Sequence, residues 1–216
     1  LGFQDLSREE NAIDLVEDGQ YAPTTYDNAV GVYMPDGVSV YEVGGVTYLV
    51  TANEGDSREW EGYLNEAEVT LTAEDGTIAE EVRVLDKSCT TVPDESKEYL
   101  YGSRSFSIYR ADTMEQVYDS GNAFEALTDQ YLPDWFNCSN DDIDVDSRSA
   151  KKGPEPESVT VGQVGNHLFA FVALERVGGI MVYDVTNPSQ ASYVNYVNTR
   201  DFSGEIAGDG AAEGLA

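Results

Sequence analysis

Residues 35–54 and 156–175 align at a fixed offset of 121 without a gap and share Pro, three Val, Gly, Ala and Glu at seven of twenty positions. Each copy is two alternating apolar runs about a two-residue turn: "DGVSVYEV", Gly44-Gly45, "VTYLVTAN", and "ESVTVGQV", Gly165-Asn166, "HLFAFVAL". Period-two alternation around such dipeptides reads as a β-hairpin. The segments "SRSFSIYRADTMEQVYDSG" (103–121) and "GGIMVYDVTNPSQASYVNY" (178–196) extend the similarity as strand, polar turn, strand. In the second copy the two halves follow directly, whereas residues 55–102 intervene in the first. Four antiparallel strands repeated every few tens of residues are the pattern of a β-propeller blade. The expected fold is therefore all-β: a β-propeller segment with two complete four-stranded blades, the start of a third, and one long insertion.

This reading divides the chain into 1–34, the end of a preceding blade and a connector; 35–121, a blade with insertion 55–102; 122–155, an inter-blade loop with a short helix; 156–211, a second blade; and 212–216, the start of the next. The insertion should form its own hairpin turning at Asp75-Gly76. The helix is expected in "NAFEALTDQY" (122–131), with Asn122 as cap and Pro133 beyond its end. A propeller closes with about four to eight blades. The partners implied are therefore the remaining blades of a parent chain or other copies of this one. The chain opens "LGFQDL", without Met, and is expected to be a piece of a longer protein.

Charge narrows the function. Across 216 residues there are 41 acidic and 12 basic side chains, a formal net charge of -29. Such a surface repels phosphate backbones and anionic lipid and attracts cations, so no nucleic-acid partner is expected. No apolar run approaches the roughly 18 residues that span a bilayer. The two cysteines, Cys89 and Cys138, lack metal-ligand spacing, and a single disulfide between them is open if the compartment oxidises. Asn137-Cys138-Ser139 is formally a glycosylation sequon.

The repeat gives the acids addresses. Asp36, Glu157 and Glu213 head the first strand of successive blades, and Glu54 and Glu175 follow the second. Antiparallel pairing sets the start of one strand beside the end of its neighbour, so Asp36 should lie near Glu54, and Glu157 near Glu175. Together with Asp56 and Glu155 these carboxylates are the candidate metal ligands, a hard-oxygen set suited to calcium or magnesium. Alternatively, each Glu pairs with the Arg after it, Arg58 or Arg176, with Arg200 preceding the third blade. "NDDIDVDSRS" (140–149) fails the EF-hand spacing: starting at Asp142 puts Gly153 at position twelve, and starting at Asp144 puts Arg148 at position five. A looser site on Asp142, Asp144 and Asp146 stays open beside a solvated loop.

Enzyme signals are few. His167 is the single histidine and opens a strand, which leaves no zinc-hydrolase set, and there is no Gly-x-Ser-x-Gly elbow. A phosphoesterase would have to use cations held by these acids, with Arg58 or Arg176 as the catalytic candidates binding phosphate.

The stretches "YMPDGVSVYEVGGVTYLVTANEGDSREWEGY", "GSRSFSIY", "KGPEPESVTVGQVG" and "FVALERVGGIMVYDVTNP", in that order, resemble the choice-of-anchor I family. These are secreted or surface-attached propeller proteins related to mesenchyme-specific cell surface glycoproteins and often labelled alkaline-phosphatase-like in bacteria. The resemblance covers nearly the whole chain and implies the C-terminal half of the propeller and an extracellular or cell-surface location. Taken with the blade repeat and the acidity, it leads to the expected function, a cation-stabilised binding or adhesion module, with a metal-dependent phosphoesterase as the alternative. Relatives usually carry an acidic pair before the Lys-Gly-Pro-Glu run, where this chain has Ala150 and Lys151. The resemblance implies that any cation held by that pair is weakened here.

Overall fold

The computed structural model describes residues 1–203, 210–212, 214 and 215. Among the described residues the chain is all-β apart from one α-helix and a 3-10 turn, and its strands form four sheets, none closed into a barrel. The repeated segments build two of these sheets. In the first, β3 (Val38–Val43), β4 (Val46–Ala52), β10 (Phe106–Arg110) and β11 (Gln116–Asp119) lie side by side, all antiparallel. In the second, β12 (Pro156–Val164), β13 (His167–Leu174), β14 (Ile180–Asp184) and β15 (Ser192–Val197) repeat the arrangement. The register repeats as well: Val38 faces Thr51 as Val159 faces Val172, and Val43 faces Val46 as Val164 faces His167. The structure therefore keeps the offset of the sequence repeat residue for residue.

Alternation explains the packing. Successive strand residues point to opposite faces, so Tyr41, Val50, Ala52, Phe106 and Ile108 share one face of the first sheet, and Val159, Ala170, Val172, Met181 and Tyr183 share one face of the second. These two sets join in one buried core, and Phe124 of α1 (Ala123–Tyr131) enters it. Burying side chains of this size contributes about 1.5–3 kcal/mol each. The sheets touch where Gly37 donates its backbone N–H to the Glu157 carbonyl at 2.8 Å. A Cβ on Gly37 would lie 2.6 Å from Ser158 Cα, so only glycine allows that approach.

The N-terminal segment and the insertion, separate pieces in the sequence reading, share a five-stranded sheet. β1 (Phe3–Asp5), β2 (Ala29–Val32), β9 (Glu98–Tyr101), β8 (Ile78–Leu85) and β7 (Glu66–Thr72) pair in that order, with β2 and β9 parallel. Strands β7 and β8 are the hairpin expected around Asp75-Gly76. A second core, including Leu6, Leu15, Tyr26, Leu71, Val82 and Leu100, lies under this sheet. The remaining sheet is a small hairpin of β5 (Glu59–Trp60) and β6 (Tyr63–Leu64).

Helix α1 forms where expected and stops before Pro133, with the Leu132 N–H donating to the Thr128 carbonyl at 2.7 Å. Asn122 occupies the N-cap position, but its side chain makes no capping hydrogen bond. The disulfide does not form: both thiols are free, Cys89 on the surface and Cys138 buried. Burial pushes the Cys138 thiol up to about 11, and Arg200 Nη1 lies 3.5 Å from its sulfur. The sequon is likewise closed, because Asn137 is fully buried and its amide donates to Glu125 at 2.9 Å and Ser149 at 2.8 Å. Among the described residues no helix is long and apolar enough to cross a membrane.

Candidate functional site: a carboxylate cluster at the sheet junction

Asp36 precedes β3, Glu54 follows β4, Glu155 immediately precedes β12, Glu157 lies at its start and Glu175 follows β13. Because the two sheets meet at Gly37 and Glu157, these five acids from distant positions converge. Asp36, Glu54 and Glu157 place carboxylate oxygens within 4.8 Å of one another, and so do Glu54, Glu155 and Glu175. The expected neighbourhood of Asp36 and Glu54 is present, and Glu54 belongs to both groups. Glu213 lies outside the described residues.

The inner group is charge-compensated by Lys152 and Arg148, which the spacing did not suggest, together with Arg176, one of the two arginines it did. Lys152 Nζ pairs with Glu54, with Glu155 Oε2 at 2.9 Å and with Asp56 at 3.3 Å. Arg148 also pairs with Glu155, and Arg176 bridges Glu155 at 3.0 Å and Glu175 at 3.2 Å. Arg176 thus follows the expected pattern, and a further contact to Asn140 at 2.6 Å holds it. Arg58 departs from it: exposed, it forms no ion pair among the described residues and lies over the Trp60 ring, 5.9 Å from the centroid. Arg200 is buried and donates to the carbonyls of Ser139, Arg176 and Asp142, which makes it a clamp on the loop after the helix.

Glu155 is the hub. It is fully buried and holds a left-handed backbone (φ +52°), a conformation rare for a non-glycine residue and retained where surroundings enforce it. Burial opposes its charge, but Lys152, Arg148 and Arg176 outweigh burial and hold the carboxyl down at about 2. Burial drives Glu54 the other way, to about 7, because Lys152 only partly offsets it and Glu155 and Asp56 add repulsion. Glu157 rises to about 8, first through burial and then through the charges of Glu54, Asp36 and Glu175 and a hydrogen bond with Asp36. Burial also raises Glu175, with the Glu155 charge adding to it. Asp36 and Glu157 have no ion-pair partner among the described residues.

The sequence reading missed Lys152 and Arg148 as site residues. A weak signal existed in the Lys-x-x-Glu spacing of "KKGPEPE", but the approach of Lys152 to Glu54, 98 residues away, is tertiary. The loop acids Asp142, Asp144 and Asp146 do not gather into a metal-sized group. Asp146 is buried and instead accepts the backbone N–H groups of Asp18 at 2.9 Å and Gly19 at 2.8 Å. His167 pairs with Asp184 at 2.7 Å on an exposed strand end, away from the cluster.

The sequence model of the choice-of-anchor I domain matches residues 1–188. Among curated proteins, Gigasin-3a of Magallana gigas is 42% identical over 92 residues, covering 40% of this chain and 32% of that protein. The mesenchyme-specific cell surface glycoprotein of Strongylocentrotus purpuratus is 25% identical over 208 residues, covering 74% of this chain and 27% of that protein. The chain thus spans a third or less of the length of either relative. No solved structure matches it. Since the domain match runs through both repeated sheets as far as residue 188 and takes in all five clustered carboxylates, the chain belongs to the choice-of-anchor I domain family.

Proposed function

We propose that the chain is part of an extracellular or cell-surface β-propeller, a binding or adhesion module whose sheet junction is stabilised by a divalent cation. The observation that carries the cation reading is the contrast within the cluster: Lys152, Arg148 and Arg176 serve the inner acids, while Asp36 and Glu157 crowd against Glu54 without a cation of their own. Two oxygens bound to one calcium at about 2.4 Å lie at most about 4.8 Å apart, and the Asp36, Glu54 and Glu157 oxygens meet that limit. Magnesium holds its oxygens at about 2.0–2.1 Å in a stricter octahedron, whereas calcium tolerates irregular geometry, so calcium is the ion to test first.

The blade reading draws support from the far side of the second sheet. Leu215, the residue that corresponds to Val38 and Val159 in the repeat, lines a cavity there with Thr160, Gly162, Phe171 and Ile180. Gly162 and Phe171 correspond to Tyr41 and Val50, whose face of the first sheet packs into the same core as Val159. A third blade would thus stack on the second as the second stacks on the first, with 1–34, 35–121, 122–155, 156–211 and 212–216 as successive pieces. Further blades of a longer chain or other copies would cover the outer faces. The surface location rests on family membership and on the cell-surface name of the Strongylocentrotus purpuratus relative.

The test is a thermal melt at pH 8 with calcium titrated from zero to millimolar. A rise of several degrees that is lost in Glu157→Gln and Asp36→Asn supports the reading, and an unchanged melt in wild type overturns it. A metal-dependent phosphoesterase is less favoured, because Arg176 is committed to two glutamates and Arg58 to Trp60. Calcium-stimulated hydrolysis of p-nitrophenyl phosphate, lost in Glu157→Gln, would reverse that preference.

A further inference from the structure

The hairpin β5–β6 belongs to the insertion that the second four-stranded unit lacks, and it displays its aromatic side chains instead of burying them. Trp60 is 65% exposed, Leu64 49% and Tyr63 39%. The Trp60 and Tyr63 rings stand side by side with centroids 5.7 Å apart, and Arg58 lies over the Trp60 ring. None of these residues joins a core cluster.

A two-strand hairpin this short is not stable alone, and this one is braced at its base. The Arg58 N–H donates to Asn65 Oδ1 at 2.6 Å. The Asn65 carbonyl in turn accepts from Tyr101 Oη at 2.6 Å and from the Asp86 N–H at 2.8 Å. The aromatic pair is thus presented by an anchored stalk, which lowers the entropy lost when a partner binds.

Trp, Tyr and Arg are the residues that dominate binding energy at protein interfaces. The charge around this trio defines the partner. Glu59 and Glu61 flank Trp60, both exposed and neither in an ion pair among the described residues. The position of Arg58 shows that the indole face accepts a guanidinium. A net charge of -29 adds long-range attraction for a basic partner.

We propose that this hairpin is a docking site for a basic segment of a partner protein. An arginine or lysine of that segment takes the place of Arg58 on the Trp60 ring, beside Tyr63, while Glu59 and Glu61 take its neighbouring charges. The site is separate from the carboxylate cluster, and it stands or falls independently of cation binding.

A fluorescein-labelled peptide of alternating arginine and glycine, followed by anisotropy at low and moderate salt, provides the test. Trp60→Ala should weaken binding about tenfold, between the exposed and the desolvated limits of a cation–π contact. Glu59→Gln with Glu61→Gln should weaken it several-fold and reduce the salt dependence. Because the hairpin joins no core, the melting temperature of each variant should match wild type. Equal binding by Trp60→Ala would assign the interaction to bulk charge and overturn the proposal. Trp60-dependent binding of a neutral oligosaccharide such as cellohexaose, with none of the peptide, would also overturn it and make the surface a sugar platform.

Discussion

Lys152 is the residue on which the cluster turns. Its ammonium holds Glu54, Glu155 and Asp56 together while its side chain is only 12% exposed. Removing one member of a buried ion network leaves charge uncompensated and costs about 3–5 kcal/mol. Lys152→Met should therefore lower stability by about 3 kcal/mol in urea unfolding. Arg58→Ala, which breaks no ion pair, should stay within about 0.5 kcal/mol of wild type.

The same residues set the pH dependence. Glu157 and Glu54 bind protons more tightly when folded, at about 8 and about 7 against an ordinary 4.5. Asp14, buried beside Glu125, is raised likewise to about 7. Their contribution is complete below the ordinary carboxylate range and is lost as pH rises toward 8. Glu155, held at about 2, works oppositely, and its contribution is lost as pH falls from 4.5 through 2. Melting temperature against pH without divalent cations should therefore peak in the mildly acidic range. Glu157→Gln should flatten the alkaline limb, and calcium should act more strongly at pH 8 than at pH 5.

At the scale of elements, the insertion is pinned where Gly55 crosses Gly102. Gly55 has φ +74°, and a Cβ there would fall 2.0 Å from the Gly102 nitrogen. Gly55→Ala should cost more than about 2 kcal/mol through strain and forced separation of the two backbones. It should also loosen the stalk of the aromatic hairpin, read as faster amide exchange across residues 56–65. Thiol titration checks the loop placement: one equivalent, Cys89, should react in the native protein, and Cys138 only after unfolding. The hairpins β3–β4, β12–β13 and β7–β8 were legible because alternation and turn dipeptides are local signals. The parallel pairing of β2 with β9 was not, because its strands lie about 70 residues apart and each is four residues long, too short to carry a pattern.

Over the whole molecule, like charge opposes compactness. With a net charge of -29, repulsion among exposed carboxylates should weaken as salt shortens the Debye length from about 30 Å at 0.01 M to about 10 Å at 0.1 M. The melting temperature should climb over that range with sodium chloride alone. A further rise from micromolar to low millimolar calcium at fixed ionic strength would separate specific cation binding from screening. Buried arginines counter the repulsion from within. Arg104 joins Glu125 at 2.5 Å to the carbonyls of Asp14, Ser149 and Lys151, which ties the N-terminal segment, the helix and the loop before β12 into one body.

The sequence by itself determined the two repeated four-stranded sheets, their hairpin turns, the helix and the meeting of Asp36 with Glu54. Each follows from side-chain alternation, turn chemistry or the repeat offset, all of which act over a few residues or are copied along the chain. Only the tertiary structure decided which cation serves which carboxylate, that the cysteines stay apart, and that the N-terminal segment completes a sheet with the insertion. Those outcomes depend on bringing together segments far apart in the chain: the Lys152 ammonium finds Glu54 because Gly37 lets two sheets touch, and no local spacing encodes that contact.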